Sequence, residues 1–480
     1  MRYILLALGA SDYGLYSVVG GIVFLMAFLN NVMISSTYRF VAFELGTGNM
    51  NGVNKVFNIS VFIHISLAML TVLLAETAGV FYIKNYLNIP GDKLTDALFV
   101  FRMSILSTVF SIFSIPYQGL ITAKEKFAVT ASVEVIRSLL ALGAVLLLLL
   151  YPGNRLRLYA SLIAIISVIP PVIYYLYSKW NYSELVKWRY QRDKVKYKEM
   201  IGFSWWILLG ASANTAETKI SAIIINIFFG TILNAAFGIA NNVNIVLKSF
   251  AESLNKAVIP QITKSYSSGN TNRTMELVVF SSKYSFFLML LPAMPLLLET
   301  KFVLEFWLKD VPPYTIFFVQ LMIINSLIEV MNAGIPAAVQ ATGKIKYFQI
   351  ILSTIKLLAL PAAYLLLKAG YEPYMMIIAF TVSALISLVV RQILLKKLIQ
   401  FNVKEFIMQA YFKMLGVLIP VSSLYYFKQM FDSGIYRFIS FSVFSVVFIL
   451  IMVYAVGISA SERAYLTNYI SNKLLKKINK

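Results

Sequence analysis

The chain has 480 residues, 59% of them apolar and 13% charged, with 42 Lys+Arg against 21 Asp+Glu and a net charge of +21. Soluble domains carry roughly 25% charged residues, so a soluble enzyme, a secreted disulfide scaffold and a disordered chain are excluded, and a membrane protein with many spans remains. Cysteine is absent and His64 is the single histidine, which excludes thiolate chemistry and leaves little for a histidine metal site.

A transmembrane helix takes roughly 20 mostly apolar residues. Thirteen stretches qualify: 14–38, 56–82, 97–121, 127–151, 157–178, 201–229, 235–258, 276–300, 314–341, 347–368, 373–395, 409–430 and 436–458. Turn and charge signals such as Gly91-Asp92-Lys93, Pro152-Gly153-Asn154 and Gly343-Lys344 separate them. Pro116, Pro336 and Pro361 fall inside spans, where neighbouring helices can satisfy the carbonyls they free. Barrel strands would alternate over about 10 residues, and these runs are too long and too uniformly apolar for that.

Loops 39–55, 124–126, 179–199, 256–273, 344–346, 391–404 and 461–480 hold 25 Lys/Arg, and the loops of the other side hold nine. The positive-inside rule places the first set in the cytoplasm, together with the tail carrying Lys473, Lys476, Lys477 and Lys480. In Lys179–Lys198, seven basic residues interleave with Trp180, Tyr182, Leu185, Trp188 and Tyr190. That pattern suits an interfacial stretch on the cytoplasmic leaflet rather than a nucleic-acid surface.

The chain repeats at an offset of 220–221. Ile115-Pro116, Thr122, Lys124 and Lys126-Phe127 match Ile335-Pro336, Thr342, Lys344 and Lys346-Tyr347, Gly48-Asn49-Met50-Asn51 matches Gly269-Asn270-Thr271-Asn272, and Gly9 matches Gly230. The offset spans six helices, an even number, so the copies are parallel and imply two lobes about an axis along the membrane normal. Span 201–229 then lacks a partner, and residues 1–8 read as the tail of a truncated first helix. The natural start is expected about 20–40 residues upstream. The expected fold is all-α and polytopic, with thirteen spans here and fourteen with that helix. It divides into an N-lobe at 1–178, a basic cytoplasmic linker at 179–200, a C-lobe at 201–395, and a helix pair with a basic tail at 396–480.

Three stretches carry a family resemblance. They are Leu8-Gly9-Ala10-Ser11-Asp12-Tyr13-Gly14-Leu15-Tyr16, Pro116-Tyr117-Gln118-Gly119, and Gly230 to Ala240 with Asn234-Ala235-Ala236-Phe237-Gly238-Ile239-Ala240. Over essentially its whole length the chain resembles polysaccharide or O-antigen flippases of the multidrug/oligosaccharidyl-lipid/polysaccharide (MOP) exporter superfamily. The resemblance implies two MATE-like six-helix lobes that alternate between inward- and outward-open V shapes. It also implies transfer of an undecaprenyl-diphosphate-linked oligosaccharide from the cytoplasmic to the outer leaflet of the bacterial inner membrane, for surface polysaccharide, O-antigen or lipopolysaccharide. The implied cofactor is none beyond a coupling proton or sodium ion. The implied partners are membrane lipid and the glycan polymerase or ligase machinery, with the protein itself a monomer. In relatives the first helix lines the central cavity, so its truncation bears on activity. ATP is not expected, and no Gly-x-x-x-x-Gly-Lys-Ser/Thr stretch occurs.

Ionisable groups in the hydrocarbon region cost about 2.5–3.5 kcal/mol on insertion scales unless they face protein or water. Eight basic residues fall within spans. Arg102, Lys283, Lys413 and Lys428 lie near the ends and can snorkel. Lys219, Lys248, Arg137 and Lys356 lie near mid-membrane and are candidates for the pyrophosphate, as is Arg39 at the cytoplasmic end of the first span, where it can equally be a positive-inside anchor. Arg137 has Glu134 at i, i+3, a structural pairing distance, and Lys356 falls one position from Arg137 in the repeat. Lys248 and Glu252 stand at i, i+4 and can pair. Glu217, Glu252 and Glu329 are candidates for ion coupling, with a structural hydrogen bond as the alternative. Asn30-Asn31 and Asn241, Asn242 and Asn244 are either sugar partners or interhelical glue. His64 reads as a buried, hydrogen-bonded histidine.

Two other readings stand beside this one. A MATE-like cation-coupled drug exporter calls for acidic rather than basic mid-membrane groups, and the balance of Lys219 and Lys248 against Glu217 and Glu252 leaves it open. A lipid-linked glycan polymerase or ligase calls for a large external loop with catalytic groups. The longest external loop, near 83–96, has nothing of the kind, so no enzyme is expected.

Overall fold

The computed structural model describes residues 8, 12, 15–16, 33–85, 89, 93–399, 402–428, 434–460 and 462–464. Residues 1–7, most of the expected first span with Asn30-Asn31, and the tail lysines lie outside the described residues. The chain divides into two compact units, Met1–Leu208 and Leu209–Lys480.

Unit 1 holds α1 (33–46), α2 (Met50–Asn85), α3 (Leu94–Ala123), α4 (Phe127–Leu150), α5 (Arg155–Asn181), the short α6 (Ser183–Val186) and the start of α7 (Lys194–Ser267). α3 packs against α2 and α5. Small residues let these backbones approach: Ala75, Ala97 and Ala160 lie in the buried seam around Phe101. Close packing of this kind holds helices together where lipid tails are as apolar as the side chains. Other large apolar side chains are exposed on the outer faces, as Leu139 and Leu147 are on α4.

Unit 2 holds the rest of α7, then α8 (Thr271–Leu298), α9 (Thr300–Leu308), α10 (Thr315–Val330), α11 (Ile335–Thr342), α12 (Lys346–Lys368), α13 (Met375–Ile399), α14 (Val403–Lys428) and α15 (Ile435–Gly457). The expected C-terminal pair, α14 and α15, packs on α8 and belongs to this unit. α10 and α11 meet at a bend of 43° and together are long and apolar enough for one span.

Among the described residues ten helices are long and apolar enough to cross a membrane, or eleven with the α10–α11 pair counted as one span. The count is lower than the thirteen stretches read from sequence for two reasons. The first stretch lies mostly outside the described residues. Stretches 201–229 and 235–258 run together in the 74-residue α7, broken only at Gly230, where φ is 76° and ψ −167°. Glycine alone adopts that conformation without a Cβ penalty.

The repeat reappears in backbone detail. Gly48 and Gly269, 221 positions apart, have φ of 73° and 77°. Each closes a helix with the same bonds: Asn49 N–H donates to Glu44 O at 3.0 Å and Asn270 N–H to Ser265 O at 3.1 Å. The next residue then caps the following helix, Asn49 accepting from Gly52 N–H and Asn270 from Arg273 N–H. A left-handed glycine that stops one helix, followed by an Asn that starts the next, is a local code, and both units use it at the same place.

The linker expected at 179–200 is not a free tether. Asn54 Nδ2, on α2, donates to the carbonyls of Glu184, Leu185 and Lys187 at 2.9–3.1 Å. Asn58 donates to Lys187 O at 3.0 Å and accepts from Arg189 N–H at 3.1 Å. The linker is thereby fastened to unit 1.

Candidate functional site

Polar residues recur along two otherwise apolar helices at helical spacing. α7 carries Asn214, Glu217, Thr218 and Ser221, and beyond Gly230 it carries Asn241, Asn244, Lys248, Glu252 and Asn255. α10 carries Asn325 and Glu329, followed by Asn332 at the break. Steps of three and four place each set on one face. These faces, with Lys356 of α12 and Arg391 of α13, line a cavity of about 540 Å³ inside unit 2.

Four charges in this cavity form a chain. Lys248 Nζ lies 2.6 Å from Glu329 Oε2. Lys356 Nζ lies 2.7 Å from Glu329 Oε1 and 3.3 Å from Glu217 Oε2. Asn214 Oδ1 accepts a further bond from Lys356 at 2.8 Å. Carboxylates and amines this enclosed are tolerable because each is paired and hydrogen-bonded. Lys248 therefore takes a partner 81 positions away rather than Glu252, the i, i+4 pairing that sequence suggested. Glu252 also lines the cavity, is exposed, and has no ion-pair partner among the described residues.

Arg391 is the charged cavity residue that sequence reading passed over, by counting it with the cytoplasmic loop 391–404, and Asn214, Asn255, Asn325 and Asn332 were passed over with it. Apolar residues continue past it through Leu395, and α13 carries it within the helix. Its Nε is buried without a hydrogen-bond partner among the described residues, and so is Asn325 Oδ1. Beside it a buried triad holds the α10–α11 break. Tyr411 OH donates to Asn332 Oδ1 at 2.5 Å, and Gln392 Nε2 donates to Asn332 Oδ1 at 3.1 Å and to Tyr411 OH at 2.8 Å. Such a network fixes geometry, here at the bend.

The other candidates are placed elsewhere. Lys219 is exposed and does not line the cavity, and Asn242 is likewise exposed and outside it, whereas Asn241 lines it. In unit 1, Arg39 is buried, with its guanidinium 4.5 Å from the Phe40 ring centre, 5.2 Å from those of Phe43 and Phe203, and 3.9 Å from Glu199. Cation–π contacts of that kind hold it in packing. Arg137 pairs with Glu134 at 2.8 Å, both half-exposed, beside a cavity of about 340 Å³ lined by Ser107, Thr108, Ser111, Ser138 and Ser167. Three of the cations expected to snorkel have protein partners. Arg102 donates twice to Glu76, Lys283 is buried 2.8 Å from Glu462, and Lys428 bonds the Leu298 carbonyl. His64 is buried with Nδ1 2.6 Å from Ser60 O. Among the described residues no group of three or more His, Asp or Glu is placed to hold a metal ion.

Solved structures place this architecture. A MATE protein in complex with MaD3S superposes with a TM-score of 0.71 at 13% identity, over 83% of this chain and 91% of that one. The chain has the MATE/MOP transporter fold. An outward-facing multidrug resistance MATE family transporter of the MOP superfamily gives 0.67 at 14% identity, over 84% and 95%. A MOP superfamily transporter from Pyrococcus furiosus Vc1, described by a reversed polarity of its binding pocket that suggests a different function, gives 0.66 at 14%, over 82% and 92%. No protein-family model and no curated protein matches the chain. Identities this low carry the fold of a multi-span membrane protein and leave the cargo to the chemistry of the site.

Proposed function

We propose that the chain is a secondary transporter that moves a lipid-diphosphate-linked oligosaccharide from the cytoplasmic to the outer leaflet of a bacterial inner membrane by alternating access. The observation that carries this reading is the distribution of charge in the unit 2 cavity. Glu217 and Glu329 are both engaged by lysines, and among the described residues Arg391 is left with a buried, unbonded Nε–H. A guanidinium offers a diphosphate a planar fork of donors. The asparagines on the same walls offer both donors and acceptors to sugar hydroxyls. Glu252, on the same cavity and without an ion-pair partner among the described residues, is the carboxylate available to a coupling proton or sodium ion.

The reading includes two parallel six-helix lobes, thirteen spans in this chain, a cytoplasmic C-terminus, and hand-over of cargo to glycan polymerase or ligase machinery. A second reading, a MATE-like cation-coupled drug exporter, has its own support. Two solved structures with this fold are named for MATE proteins or multidrug resistance, and the exposed Glu252 is a group a cationic cargo would seek.

The two separate in one strain. Deleting the gene makes lipid-linked oligosaccharide accumulate on the cytoplasmic leaflet if the flippase reading holds. Wild type and Lys219→Ala restore surface glycan, and Arg391→Gln does not. Unchanged glycan together with heightened sensitivity to cationic dyes, cured by wild type and not by Glu252→Gln, establishes the exporter instead.

A further inference from the structure

Three lysines at the start of α7 meet different surroundings. Lys196 turns into unit 1, with its amine 3.1 Å from Glu199, 3.8 Å from Glu44 and over the Phe40 ring. Lys194 and Lys198 lie on the opposite face, four residues apart. Both are exposed, and neither makes an ion pair or side-chain hydrogen bond among the described residues. Further along that face come Ile201, Gly202, Trp205 and Trp206, which with Tyr197 and the two lysines line an open groove of about 650 Å³. Ile201 and Trp205 are more than half exposed, and nothing stands within 4 Å of where a Cβ on Gly202 would be.

The order along the helix is cation, then aromatic and apolar. At about 1.5 Å per residue, Lys198 stands roughly 10 Å from Trp205. The headgroup zone of one leaflet is roughly 5–8 Å deep, and tryptophan settles at its inner edge. The two lysines thus sit at phosphate level when the indoles sit at the acyl boundary.

The groove is also preorganised. The segment leading into it is fastened by Asn54 and Asn58, Asp193 takes Lys55 at 2.7 Å and caps the Lys196 N–H at 2.9 Å, and Tyr197 packs edge-on to Phe62 at 5.7 Å. Binding there does not have to order the backbone first.

We propose that this groove is a binding site for one anionic glycerophospholipid. Its phosphate lies between Lys194 and Lys198, and its acyl chains run over Ile201, Gly202 and the indole rings. A zwitterionic lipid brings its own cation against the same lysines and loses the net attraction. The inference rests on the membrane-spanning fold and is independent of the cargo assigned to the unit 2 cavity.

The test uses the purified full chain in non-ionic micelles, titrated with phosphatidylglycerol or phosphatidylcholine brominated on the acyl chains, with tryptophan quenching as the readout. Half-quenching by phosphatidylglycerol is expected at about tenfold lower concentration than by phosphatidylcholine, from two lysines near the headgroup. Lys194→Gln/Lys198→Gln removes the difference, and Trp205→Phe/Trp206→Phe removes most of the quenching. The proposal is overturned if the two lipids quench wild type equally, or if the lysine variant keeps its preference. It is also overturned if Lys187→Gln/Arg189→Gln abolishes the preference as fully, since diffuse linker charge then accounts for it. Undecaprenyl phosphate relieving the quenching at lower concentration than unbrominated phosphatidylglycerol assigns the groove to a polyprenyl lipid and overturns it too.

Discussion

Lys356 Nζ lies 2.7 Å from Glu329 Oε1, although the two residues are 27 positions apart and on different helices. The other oxygen of the same carboxylate takes Lys248 at 2.6 Å. One acid therefore compensates two amines in one cavity, and the helices that carry them cannot move independently without separating charge.

Removing that acid exposes the dependence. Glu329→Gln leaves Lys248 without an anion and Lys356 with Glu217 alone. Breaking one partner out of a buried pair costs about 3–5 kcal/mol, so the variant is expected to lose stability on that scale in thermal unfolding of the micellar protein. Adding Lys248→Met, which removes one stranded amine, recovers a substantial part. A single variant within about 0.5 kcal/mol of wild type rules out a strongly coupled cluster.

The linker offers a test in unit 1. Asn54→Ala removes the side-chain donor from the Glu184 and Leu185 carbonyls, while Lys187 O keeps Asn58. A buried polar group left without its partner costs roughly 1–3 kcal/mol, enough to open the segment locally. Trypsin cleavage after Lys187, Arg189 and Arg192 should rise at least severalfold, while cleavage elsewhere is unchanged. Equal cleavage rates in variant and wild type show that the linker is held by other means.

The repeated turns predict matched penalties. Gly48→Ala and Gly269→Ala each put a Cβ into a left-handed backbone that has open space around it. The cost is then conformational alone, about 1–2 kcal/mol at each site, and Asn in place of Ala should cost less. Unequal effects in the two units, read by thermal unfolding, break the correspondence.

Asp193 sets an acid limit. Its hydrogen bond from Lys55 and then the Lys196 N–H hold its carboxyl below the ordinary value of 3.8. A group with a depressed folded pKa stabilises the fold above its unfolded pKa and loses that contribution as pH falls through the folded one. Wild type should therefore melt above Asp193→Asn by a constant margin from pH 8 to pH 5, with convergence only below about pH 4. A margin that shrinks near neutrality points to another titrating group.

Much of this was readable in the chain. Spans such as 97–121 and 127–151 declare themselves because crossing a bilayer takes length and apolarity, both local properties. The Gly-Asn turns at 48–49 and 269–270 are equally local, since capping and left-handed backbone depend on adjacent residues. Asn241, Asn244 and Lys248 stand out because polar groups are expensive in lipid wherever they point. Arg391 escaped because a cation near a span end reads the same whether it faces the cytoplasm or turns into a cavity.

Composition and its period thus determined by themselves that this protein is a bundle of membrane helices with an internal repeat and costly charges inside it. The tertiary structure decided which charges meet. Lys248 had Glu252 one turn away and bonds Glu329 instead, Lys219 faces outward two residues from Glu217, and Arg39 is enclosed by phenylalanines. Sequence spacing fixes the face of a helix on which a side chain lies, but its partner depends on the neighbour that packs against that face. In a medium where unpaired charge costs several kcal/mol, that choice separates a structural ion pair from a group left available to bind.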